Sequence, residues 1–284
     1  MEKARKEAEE NQSVSLSTVN SESKLDIIRP NIEDDYGDYG NPFKDFVYAM
    51  YLATDSDRSI RENATVSLRR VNSNLGGNPF IEEEIKLANK NLSGNDNTRR
   101  TYVIYESGLA PVREEVRLDI PTGDRNIPYV AAAFPKLAFQ GQPVSMTVQA
   151  GNKDYSSTRL SNMDAIIAQE FKNELPGVIA RTVVSAAVKA AATKVAADKG
   201  GDFGLIAGML YQAGSTQADL RTWLSLPKEF HVCSFETPSD NAVNISTSGG
   251  GTAEITVSES QINIVYVKDF SPNTDLRIAQ FSLR

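Results

Sequence analysis

The chain has 284 residues, 40% of them apolar and 24% charged, and 30 basic against 37 acidic side chains leave a net charge of −7. This is globular composition for one large or two small domains. A single Cys and a single His exclude an internal disulfide framework and any thiolate-rich or multi-histidine metal site, and the acidic balance argues against a general nucleic-acid binder, whose affinity comes from neutralising phosphates.

Residues 1–39 read as a polar lead, charged at first, then rich in Ser and Asn, and ending in the acidic, Gly-punctuated stretch 33–40. Such a segment buries too little apolar surface to offset ordering entropy and is expected to be disordered. Its acidic cluster lacks the spaced ligand set of a calcium loop. Asn-Pro-Phe then occurs twice, at Asn41-Pro42-Phe43 and Asn78-Pro79-Phe80. Asn is a good N-cap, and Pro suits the first helical position because its missing N–H would be unpaired there anyway. The pattern predicts three helices: one with Phe43, Phe46, Val47, Met50 and Tyr51 at helical spacing, one over Ser56–Asn72 ended by Gly76-Gly77, and one over Pro79–Asn91. The two starts lie 37 residues apart, near the tetratricopeptide period, so residues 40–98 read as a tetratricopeptide-like helical part.

The polar stretch from Asn91 to Arg99 marks a boundary, and residues 99–284 read as an α+β domain. Strands are predicted at Tyr102–Tyr105, Val112–Ile120, Tyr129–Phe139 and Val144–Val148, with turns at Pro121–Arg125 and Gly151–Asp154. Asn162 can cap a helix starting at Met163. Pro176-Gly177 should kink or split that helix, the Ala-rich run Val178–Ala197 continues it, Lys199-Gly200-Gly201 stops it, and Asp202–Ala213 adds a shorter helix. Arg181, Lys189 and Lys194 interrupt the apolar run, so no membrane-spanning helix is predicted. Strands return at Phe230–Phe235, Ala242–Thr247, Ala253–Val257, Ile262–Lys268 and Leu276–Leu283. Gly249-Gly250-Gly251 reads as a hairpin loop, since neither Lys-Ser/Thr nor a helix follows as a phosphate loop requires. The fold class is therefore α+β: a small N-terminal helical, tetratricopeptide-like part, then a mainly antiparallel sheet domain with a long Ala-rich helical insertion.

Signals of chemistry are sparse, and no cofactor is implied. His231 and Cys233 share one face of a predicted strand, but neighbours on a strand face stand roughly 6–7 Å apart at the backbone. That is poor for proton transfer to a nucleophile, so a packed Cys and a surface His are expected. No nucleophile-elbow, kinase, zinc-protease or dinucleotide pattern occurs. The most distinctive stretch, Gln217–Pro227, holds the only Trp. Its Arg221 and Trp223 read either as an interaction anchor or, as the preferred reading, as a plug between helix and sheet, with Arg221 tying down carbonyls or a carboxylate. Glu106 and Arg113, in polar strand loops, complete the candidate site residues.

Several stretches together resemble a family of bacterial envelope proteins, described as lipoproteins with tetratricopeptide-like helices before a C-terminal domain. The resemblance rests on Asn41-Pro42-Phe43, Leu68-Arg69-Arg70-Val71, the run from Tyr102 to Glu115, Ile127-Pro128-Tyr129-Val130, Ala133-Phe134-Pro135, the run from Met163 to Phe171, Glu174-Leu175-Pro176 and the run from Asp219 to Pro227. It covers about residues 40–284. It implies a non-enzymatic interaction or scaffold protein of the cell envelope, periplasmic or outer-membrane associated, with a protein partner and no nucleic acid. Relatives are expected beside lipoproteins that activate cell-wall synthases. Members of that family carry a lipidated Cys near the N-terminus. Cys233 comes far too late to be that residue, so membrane attachment is expected only through a lipid anchor that this chain lacks. Two further readings stand beside this one. One is a hydrolase or ligand-binding domain acting on cell-wall material, which requires a pocket with converging carboxylates or Arg near Glu106, Arg113 and Arg221. The other makes the Ala-rich helix a self-association surface.

Overall fold

Local signals hold where they are strongest. A computed structural model describes residues 26–31, 40–92, 98–270 and 275–283; most of the polar lead, including the acidic stretch 33–39, lies outside the described residues. Helix α1 spans Pro42–Ala53, α2 Arg58–Asn74 and α3 Pro79–Leu92. Both Asn-Pro-Phe starts are capped as expected. Asn41 accepts from the Lys44 amide at 3.3 Å, and Asn78 accepts from the amides of Phe80 and Ile81 at 3.0 and 3.3 Å. Gly76 and Gly77, at φ of 66° and 93°, close α2 in the left-handed region that Gly tolerates.

The described residues form a mixed α+β protein of four α-helices and three sheets, and the contacts divide it into two compact units. One unit comprises residues 33–111, 139–167 and 224–284. Its centre is a five-stranded sheet in the order β11-β10-β1-β7-β6, with β1 at Arg100–Ser107, β6 at Thr158–Asn162, β7 at Glu229–Glu236, β10 at Ile262–Asp269 and β11 at Arg277–Ser282. All pairings are antiparallel except β1 with β10. A second sheet, β5-β4-β8-β9, is built from Met146–Ala150 (β4), Lys153–Ser156 (β5), Ala242–Thr247 (β8) and Thr252–Thr256 (β9). The Gly249–Gly251 run joins β8 and β9, which pair antiparallel as a hairpin.

Strand β1 explains why its sequence does not alternate. Tyr102 and Ile104 point to one face and pack with Phe46, Leu68, Val71 and Ile81 of the three helices. Val103 and Tyr105 point to the other and pack with Met146, Val148, Val243 and Ile245 of the second sheet. A strand covered on both faces reads as a continuous apolar run. Strands β5 and β6 were not visible in the sequence because they are short and polar. The tight Gly151-Asn152 turn, with Gly151 at φ 58°, feeds β4 into β5.

Buried carboxylates tie this unit together. Glu84 of α3 accepts from the Tyr102 hydroxyl at 2.8 Å and from Ser234 at 2.6 Å, joining helix to sheet; burial raises its carboxyl above the usual range. Glu229 bonds Arg159 at 3.1 Å and His231 Nε2 at 2.8 Å. Burial pushes the Glu229 carboxyl up, but the His231 and Arg159 bonds outweigh it and the net shift is downward. A carboxyl with a lowered folded-state pKa adds stability that is present above its unfolded pKa and lost as pH falls through the folded one. The raised Glu84 works in the opposite sense, its contribution being lost as pH rises through its folded pKa. Glu229→Gln is therefore expected to cost about 2 kcal/mol near neutral pH and to flatten the acid limb. Urea denaturation near neutrality and at about pH 3, below the carboxylate range, checks both.

The other unit comprises residues 1–32, 112–138 and 168–223. It contains a long two-stranded ribbon, β2 at Val112–Asp124 with β3 at Ile127–Ala138, and most of helix α4, Met163–Ser215. Asn162 caps α4 by accepting from the Ala165 amide. The predicted break at Pro176-Gly177 is absent; the only non-helical backbone lies at Gly201, at φ 55° and ψ −138°. Pro176 sits on the exposed side, where the carbonyl four residues back can turn to water, so the loss is confined to one hydrogen bond. Gly201 folds α4 into an antiparallel helical hairpin. Gln212 donates to Thr193 Oγ1 at 2.7 Å and accepts from the Ala131 amide of β3 at 3.3 Å.

Candidate functional site

A cleft of about 870 Å³ opens in the unit that contains α4, within the volume range of ligand sites. The first limb of α4 lines it with a polar row at four-residue spacing: Gly177, Arg181, Ser185 and Lys189. Residues four apart share one helix face. The β2–β3 ribbon contributes Arg113 and Ala131–Ala133, and the segment after α4 contributes Thr216 to Asp219 and Arg221.

Four cations thus converge against two carboxylates, Glu174 and Asp219. Arg113 donates to Glu174 at 2.9 Å, and its guanidinium lies 5.5 Å from the centre of the Phe171 ring. Arg221 holds Asp219 bidentately at 2.9 and 2.8 Å. These bonds keep the Asp219 carboxyl well below its ordinary range. Lys189 donates to the Ser215 carbonyl at 2.7 Å and to Thr216 at 3.2 Å, and its ammonium pKa is lowered, first by burial and then by Arg117. Arg181 is exposed and makes no hydrogen bond or ion pair with any described residue. A cation set with one guanidinium uncommitted has the chemistry to grip a carboxylate in planar, bidentate fashion.

Comparison with known proteins returned nothing: no family model, no curated protein and no solved structure matches this chain.

Of the four candidates read from the sequence, the cleft brings together Arg113 and Arg221. Trp223 follows two residues later but is not a plug, because 70% of it is exposed. Leu220 and Leu224 beside it are exposed too. The short segment after α4 runs without regular structure. Arg221 does tie down a carboxylate, that of Asp219. Glu106 belongs to the other unit, where it is buried at the end of β1, accepts from the Tyr266 hydroxyl and pairs with Lys268 at 2.7 Å. His231 is not at the surface: it is buried and committed to Glu229. Cys233 is buried, which pushes its thiol up to about 12 and keeps it protonated. Sequence reasoning missed Arg181, Lys189, Glu174 and Asp219. The signal was the four-residue row on the Ala-rich helix, visible only once that row is known to face a cleft.

Proposed function

We propose that this chain is a non-enzymatic binding protein of the bacterial cell envelope that docks an acidic segment of a protein partner in the Arg113–Arg181–Arg221 cleft. The observation that carries this reading is Arg181, a guanidinium that bonds no described residue in a cleft where Arg113 and Arg221 already hold carboxylates and Lys189 is tied to a carbonyl and a hydroxyl. The resemblance of residues 40–284 to envelope lipoproteins supports the compartment. The same resemblance, with the 37-residue spacing of the two helix starts, supports reading α1–α3 as a tetratricopeptide-like hairpin plus one helix, a second place for a partner.

The cleft also favours a ligand-binding domain for cell-wall material over a hydrolase. A general acid needs a pKa raised toward the working pH, whereas Asp219 is held low by Arg221 and Glu174 is engaged by Arg113. A binding role needs neither carboxylate free.

The test uses Trp223, the only Trp in the chain, as an intrinsic reporter. Titration with a Glu-rich peptide is expected to shift its emission, with an affinity that falls as salt rises. A Lys-rich peptide of equal length should give no shift. Equal response to both peptides, or none to either, refutes the reading.

A further inference from the structure

We propose that the solvent face of the α4 hairpin is covered by a second copy of this chain, packed helix against helix about a two-fold axis. A helix on the outside of a globular unit normally carries charge on its outer face. Here the first limb exposes Val184, Val188 and Val195 by 52%, 64% and 52%, and the second exposes Phe203, Ile206, Leu210 and Tyr211 by 89%, 55%, 69% and 56%. Between Thr182 and Ser215 the exposed charged side chains lie in the turn around Gly201, at Asp198, Lys199 and Asp202, while Lys189 and Lys194 on the first limb are half-buried. Both limbs keep the alternating three-and-four spacing, Val184, Val188, Ala191, Val195 and Phe203, Ile206, Leu210, by which helices interlock side chains.

Area decides for a stable partner. The seven large side chains expose on the order of 800 Å², about what each partner contributes to a standard interface, roughly 800 Å². Isolated monomers rarely show apolar patches beyond about 600 Å². Ala191, Ala192 and Ala207, interleaved and exposed, allow close helix approach. Helix α4 is also long and apolar enough to cross a membrane by length and composition, contrary to the reading from its charged interruptions. A bilayer is the weaker occupant nonetheless. The hairpin would have to insert behind Asp198, Lys199 and Asp202 at its tip, and Arg181 and Lys189 would leave the cleft for lipid, at a cost of about 2.5–3.5 kcal/mol for each charge at the bilayer centre.

Sedimentation equilibrium of the full chain is expected to give the mass of two chains. Val188→Glu with Leu210→Glu should raise the dissociation constant at least about tenfold and leave the far-ultraviolet circular dichroism unchanged, since both positions are exposed in the single chain. A wild type that stays monomeric at every concentration overturns the proposal, and this outcome does not depend on the variant folding. So does wild-type flotation with phosphatidylglycerol–phosphatidylethanolamine vesicles that the double substitution abolishes, which would assign the face to lipid.

Discussion

Gly204→Ala is expected to destabilise the unit that contains α4 by more than about 3 kcal/mol, beyond the usual range for overpacking. The second limb of the hairpin approaches the first so closely that a Cβ on Gly204 would lie 1.9 Å from the Ala196 carbonyl oxygen and 2.6 Å from its carbon. Those atoms belong to a helical backbone and cannot rotate aside as a flexible side chain would. Gly208 lies one turn further along, where a Cβ would meet Thr193 at 2.8 Å, so the limbs cannot slide past one another to relieve the contact. Separating them would break the buried Gln212–Thr193 bond and leave polar groups unpaired. Alanine also favours helix over glycine by about 1 kcal/mol, which opposes the clash without cancelling it. Thermal unfolding should shift strongly downward. At exposed Gly214, also helical, no atom lies within 4 Å of an added Cβ, and Gly214→Ala should be neutral or stabilising. If the two substitutions behave alike, the limbs do not touch at Gly204.

Arg181→Glu is expected to weaken binding of a Glu-rich peptide by about a hundredfold, equivalent to about 2.7 kcal/mol. Two effects add: one charge-assisted bond to the ligand is lost, and a carboxylate is placed where another must bind. Arg181→Ala removes only the attraction and should cost about tenfold. Neither should alter folding, because Arg181 is exposed and bonds no described residue. Reversal of Arg113 would be less informative, since it would also release Glu174 and remove the contact with Phe171. Peptide titration of the three proteins at low salt, read by Trp223 emission, makes the comparison. Equal affinities for wild type and Arg181→Glu would place the acidic ligand elsewhere.

Much of the local structure is legible in the residues themselves. Asn41 and Asn78 announce their helices because a cap is settled within three residues, and Gly76-Gly77 and Gly201 end theirs because few other residues enter the left-handed region. The strands of the β2–β3 ribbon could be read from the alternation Val112, Val116, Leu118, but the turn expected over Pro121–Arg125 is confined to Arg125-Asn126, because β2 runs on to Asp124. Pro176 was misread because its effect depends on what surrounds the freed carbonyl, not on Pro alone. Trp223 was misread because a large apolar ring does not by itself decide burial, and here 70% of it is exposed.

Residue pattern alone determined the α+β class, the helix caps and most strand positions, along with the exclusion of disulfide and multi-histidine chemistry. These follow from composition and from interactions a few residues long. Tertiary structure alone decided that β1 is covered on both faces, that Arg113 and Arg221 meet Arg181 in one cleft while Glu106 does not, and that the apolar face of α4 is turned outward. Each of these depends on contacts between segments far apart in sequence. A helix with apolar residues on several sides does not reveal which side its neighbours will cover.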